Sequence, residues 1–75
     1  MDERIEVNPK IIGGKPVIKD TRIPVYLILK LLSAGYDFKR IIKAYPTLTE
    51  EDIKSAVDYA SQMVKNEETF EYVVP

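Results

Sequence analysis

The stretch Asp37-Phe-Lys-Arg-Ile-Ile-Lys-Ala-Tyr-Pro-Thr-Leu-Thr-Glu-Glu-Asp-Ile-Lys-Ser-Ala-Val-Asp-Tyr-Ala-Ser-Gln-Met-Val-Lys65 decides the fold. Its two halves each carry a helix with a start signal and an apolar face. In the first half, Asp37 is placed to accept hydrogen bonds from unpaired backbone N–H groups, the role of an N-cap. Phe38, Ile41, Ile42 and Tyr45 recur at helical spacing, so a helix is predicted over residues 38–45. Tyr36 can staple onto Ile41, and Pro46 disfavours helical geometry at Tyr45, ending the helix. In the second half, Thr49 followed three residues later by Asp52 approximates a capping box. Ile53, Ala56, Val57, Ala60, Met63 and Val64 then form a stripe, and the helix is predicted over residues 49–66.

Working back from Asp37, Val25, Ile28, Leu29 and Leu32 form one helical stripe and Leu27 and Leu31 a second. A helix is predicted over residues 25–34. Pro24 sits at its start, where a missing N–H costs nothing, and Gly35 is its expected stop. A helix apolar on two sides lies at the centre of a core or at a dimer interface. Upstream, Ile5 and Val7 flank Glu6 in a short alternating strand, and Val17-Ile18 suits a second. Asn8-Pro9 and Gly13-Gly14 mark turns, while Pro16 and Pro24 exclude a helix.

The fold class expected is therefore mostly α: a short N-terminal β-arm or hairpin followed by a three-helix bundle of the homeodomain-like helix-turn-helix type. One domain is expected, divided into an arm at residues 1–24, a helical core at 25–66 and a tail at 67–75. The tail reads either as a strand or as a segment that orders on a partner. Its apolar residues Phe70, Tyr72 and Val74 are candidate partner contacts.

Seventy-five residues make a thin core, and self-association, most simply as a homodimer, is expected to help. The absence of Cys and His excludes a disulfide scaffold and a Cys/His zinc site. No nucleophile and base are paired, so neither an enzyme nor a cofactor is expected. The charged start and the lack of a long apolar run point away from a signal peptide and a membrane span, with the cytoplasm as the default compartment.

The net charge of −1 conceals segregation: residues 10–24 and 25–45 each carry +3, and residues 46–75 carry −5. A basic end can meet phosphate and an acidic end a basic protein, although such charges also simply solvate a surface. Candidate DNA contacts are Lys15, Lys19 and Arg22 on the arm, and Lys39, Arg40 and Lys43 on the second helix. Lys54, Ser55 and Gln62 join them on the outward side of the third helix. Arg22 can alternatively clamp carbonyls or a carboxylate and hold the arm on the core, and Thr21 can satisfy a turn. Glu50, Glu51 and Asp52 at the start of the third helix suit its dipole but repel phosphate.

The segment GGKPVIKDTRIPV, residues 13–25, is followed by an apolar helix ending in Gly35, a capped helix ending in Tyr45-Pro46, then Leu48-Thr49 and an acidic helix start. In this pattern the chain resembles domain-of-unknown-function family 433, grouped with VapB-like antitoxins, over residues 5 to about 60. Asp20 stands where that family usually has Gly; Asp tolerates a left-handed turn better than most residues. The resemblance implies a β-arm, a homeodomain-like core and an antitoxin role beside a PIN-domain-like ribonuclease toxin; operator DNA as a further candidate partner follows from the helix-turn-helix reading and the two +3 segments. The alternatives left open are a stand-alone DNA-binding regulator and an oligomeric scaffold.

Overall fold

The structure, a computed structural model, describes residues 3–67. A two-stranded antiparallel hairpin comes first. Strand β1 (Ile5–Glu6) pairs with β2 (Val17–Ile18), Ile5 opposite Ile18 and Glu6 opposite Val17. Three helices follow: α1 (Val25–Ser33), α2 (Phe38–Ala44) and α3 (Glu50–Glu67). The expected hairpin and three helices are thus present, with boundaries within a residue or two.

The arm is held by its turns. Between β1 and β2 lies a 3₁₀ turn at Ile12–Gly14, where Ile12, Gly13 and Gly14 have φ of 47°, 64° and 83°. After β2 the chain reverses through a turn closed by the Thr21 N–H donating to the Ile18 carbonyl at 3.0 Å. Asp20, third in that turn, takes φ 64°. The left-handed geometry expected at this position is therefore retained without glycine. The Thr21 hydroxyl donates to the Ile18 carbonyl (2.6 Å) and accepts from the Ile23 N–H (3.0 Å), the turn-satisfying role expected of it. Val17 bridges Pro24, and the Val25 N–H donates to the Pro16 carbonyl, so the arm leads directly into α1.

Helix α1 ends as its sequence requires. Gly35 has φ 97°, the Gly35 N–H reaches the Leu32 carbonyl, and the Tyr36 N–H reaches the Leu31 carbonyl, each at 3.0 Å. This pair of bonds is a Schellman stop. Helix α2 is capped by the Asp37 carboxylate, which accepts from the Arg40 N–H at 2.8 Å. Helix α3 carries a reciprocal box: the Asp52 N–H donates to Thr49 Oγ1 (3.1 Å) and the Thr49 N–H donates to Asp52 Oδ2 (3.0 Å).

The core joins every element. Ile18, Val25, Ile28, Ile41, Leu48, Ile53 and Ala56 are buried together, with Ile5, Leu29, Tyr36, Phe38, Tyr45 and Tyr59 among the residues packed around them. Two expectations are corrected here. Val57, Met63 and Val64 continue the helical stripe of α3 but are 41%, 45% and 57% exposed. The core ends near Ala60, and residues 61–66 are all exposed. Helical spacing marks a face; it does not mark how far along that face a neighbour extends. Of the two stripes on α1, only Val25 and Ile28 are fully covered.

Ile41 and Ile53 are completely buried. Replacing either by Ala is expected to destabilise the fold by about 2–5 kcal/mol in chemical denaturation. Thr49→Ala is expected to cost about 1 kcal/mol through loss of its cap.

Candidate functional site

Three surfaces gather the candidate residues. The first is a groove where the arm, α1 and α3 meet. It is lined by Lys15, Pro16, Val25, Tyr26, Leu29, Tyr59 and Ala60 and has a volume of about 540 Å³. Its wall is mostly apolar, yet Tyr26 is 52% exposed. The Lys15 ammonium lies 6.0 Å from the Tyr26 ring centroid, the outer limit of a cation–π contact. Among the arm's basic residues, then, Lys15 belongs to an aromatic groove.

The second is a polar recess bounded by Glu3, Arg4, Lys19, Asp20 and Asp52. Here one Arg4 Nη lies 3.1 Å from Asp52 Oδ1. The clamp between arm and helical core, considered for Arg22, is made by Arg4. Arg22 is exposed and makes no hydrogen bond or ion pair among the described residues. Asp52 therefore uses one oxygen for the cap of α3 and the other for the arm. Sequence reasoning missed Arg4 because its partner lies 48 residues away.

The third surface is α2, where Lys39, Arg40 and Lys43 are all exposed. Lys43 is i+4 from Lys39 and i+3 from Arg40, so the three form one cationic face. The Arg40 guanidinium carbon sits 3.8 Å from the Tyr36 ring centroid, a close cation–π contact.

The candidates on α3 do not join that face as a donor set. Ser55 was expected to point outward but is buried at 8% exposure. The reason is tertiary: β1 packs against α3, and the flank bearing Asp52 and Ser55 is covered. Lys54 is exposed but stands 4.0 Å from Glu51, one turn away. Gln62 is exposed. Phe70, Tyr72 and Val74 lie outside the described residues. Among the described residues, no group of three or more His, Cys, Asp or Glu is placed to hold a metal ion. No helix there is long and apolar enough to cross a membrane. The groove aromatics Tyr26 and Tyr59 were not singled out in the sequence, since neither falls on the apolar stripes read from the helical spacing.

The sequence model of the family described as protein of unknown function (DUF433) matches residues 5–60. The chain belongs to the DUF433 family. Over 58 residues, 77% of its length, it is 40% identical to the uncharacterized protein y4eO of Sinorhizobium fredii. The matched stretch is 26% of y4eO, so this DUF433 chain spans about a quarter of that relative. It is also similar to the crystal structure of a DUF433 member protein from Anabaena variabilis, with a TM-score of 0.78 and 33% identity. That likeness covers 84% of this chain and 62% of the Anabaena one. The family match spans both the Gly13–Val25 motif and the capped start of α3 that mark this DUF433 chain.

The Arg4–Asp52 pair gives a direct test of the arm's attachment. In a double-mutant cycle, Arg4 and Asp52 are expected to couple by about 0.2–1 kcal/mol, the range of partly exposed pairs. Asp52→Ala is expected to cost more than Arg4→Ala, because it also leaves the Thr49 N–H without its acceptor.

Proposed function

We propose that this DUF433 chain is an antitoxin-like binding protein without catalytic activity, acting in the cytoplasm on a PIN-type ribonuclease toxin. The observation that carries this reading is the groove lined by Pro16, Tyr26, Leu29 and Tyr59. An apolar cleft with a half-exposed tyrosine at its edge suits a partner's side chains, since Tyr supplies large contact area with few rotamers to freeze. The acidic C-terminal part of the chain complements the basic face that a nuclease needs for RNA. Phe70, Tyr72 and Val74 extend the same binding role into the tail. The resemblance to VapB-like antitoxins supplies the class of partner.

A second role, operator DNA binding by a helix-turn-helix core, is favoured by one observation: the cationic face of α2 with Arg40 held against Tyr36. In this reading α2 and the arm residues Lys19 and Arg22 meet phosphates. Helix α3 is the poorer base reader, because Glu50 and Glu51 are exposed at its start, Lys54 lies beside Glu51, and Ser55 is buried.

The test is co-expression with the product of the neighbouring gene. The wild-type chain is expected to co-purify with it and to relieve its toxicity, and Tyr26→Ala to lose both while keeping its helical circular dichroism. Absence of any co-purifying neighbour would discard the antitoxin role. For the DNA role, binding to the upstream intergenic segment is expected to fall with salt by about 0.9 log units per log unit of salt for each phosphate contacted. The triple variant Lys39→Ala, Arg40→Ala, Lys43→Ala is expected to flatten that slope by about three contacts.

A further inference from the structure

The connection between β1 and β2 holds a backbone outlier that neither the groove nor the cationic face of α2 explains. Ile12 has φ 47°. A β-branched side chain strongly disfavours this left-handed geometry, which Gly or Asn adopts far more readily. Packing does not compensate. Ile12 is 37% exposed, and among the described residues neither it nor Ile11 belongs to the core or to the side chains packed around it. The space beside the turn is open, since a Cβ added at Gly13 meets nothing within 4 Å. A strained residue thus sits where folding gains least from it, which points to a contact outside the fold.

The surroundings of Ile12 indicate the chemistry of that contact. Lys10, Lys15 and Lys19 are the charged residues between Glu6 and Asp20, with no carboxylate among them. Lys10 and Lys15 flank the tip of the turn. Both are exposed, and neither forms an ion pair among the described residues. Val7 adds a second apolar side chain, 56% exposed. An apolar point between unpaired cations fits a ligand with phosphates on both sides of an apolar floor. The minor groove of duplex DNA has this form, and side chains such as Ile enter it as wedges at base steps. An anionic membrane offers the same charge but needs deeper apolar burial, since even a whole myristoyl chain binds a bilayer only marginally. Two short side chains supply less, so DNA is the favoured partner.

We infer that the turn over residues 10–15 is a minor-groove contact, with Ile12 as an apolar wedge and Lys10 and Lys15 on the flanking phosphates. This inference rests on the operator-DNA reading and adds to it the groove entered and the residue that enters it. Lys19 and Arg22 follow β2, at the opposite end of the hairpin from this tip.

Fluorescence anisotropy of the full chain with the upstream intergenic duplex tests it. Ile12→Asn is expected to raise the thermal melt by about 4 °C as strain is relieved. The same variant is expected to bind the duplex at least about five-fold more weakly, with an unchanged salt slope because no charge is removed. Lys10→Ala combined with Lys15→Ala is expected to flatten that slope by about two contacts. Netropsin, which fills the minor groove, is expected to weaken wild-type binding. Equal binding by Ile12→Asn and wild type overturns the inference and leaves the DNA reading standing, as does indifference to netropsin. A lowered melt in Ile12→Asn overturns it too, because Ile12 then serves packing. A wild-type chain that binds no duplex at low salt discards both. Binding instead to vesicles of phosphatidylserine and phosphatidylcholine, lost in Ile12→Asn, overturns the inference in favour of a membrane contact.

Discussion

One carboxylate ties the two halves of this small protein together. Asp52 closes the capping box of α3 through Oδ2 and receives Arg4 from the arm through Oδ1. The first bond sets where α3 begins, and the second fixes the residue preceding β1 on that same helical turn. With β1 placed there, Ile5 lies opposite Ile18, and Ile18 enters the core with Ile28, Ile41 and Ile53. A chain of this length has few buried side chains to spare, so this junction works together with the Val25–Pro16 backbone hydrogen bond and the burial of Ile18 to hold the arm on the bundle.

That junction also accounts for the acidic start of α3. Three carboxylates in a first turn oppose phosphate binding, yet they have separate roles. Asp52 is buried and committed to structure, Glu51 lies beside Lys54, and Glu50 is exposed. All three favour the positive end of the helix dipole. The cationic surface of the helical core thus moves to α2, where Lys39, Arg40 and Lys43 share a face. The apolar surfaces separate in a similar way. The groove opens toward the arm and α1, while the edge of α3 bearing Val57 and Val64 runs past the end of the core. A protein with so little interior keeps several distinct outward faces on three helices.

The fold was largely legible from local chemistry. Asp37 and Thr49 mark helix starts because their side-chain oxygens can reach backbone N–H groups a turn ahead. Gly35 marks a stop because the left-handed geometry there suits a residue without a Cβ. Val25, Ile28, Ile41, Ile53 and Ala56 mark the core because helical spacing brings them to one side. These signals act within one or two turns of chain, so the sequence displays them directly, and the pattern at residues 13–25 was enough to point to the family.

What the sequence determined by itself is where each helix starts and stops, the turn at Gly13-Gly14, and which side chains are candidates for the interior. Only tertiary structure decided how far along α3 the core extends, that Ser55 is covered and Val64 is not, that Arg4 and not Arg22 anchors the arm, and that Tyr26 and Tyr59 face one groove. Those outcomes depend on contacts between residues far apart in the chain, such as Arg4 and Asp52. Helical periodicity gives a residue's angle around its own axis, but burial depends on what another element places against that angle.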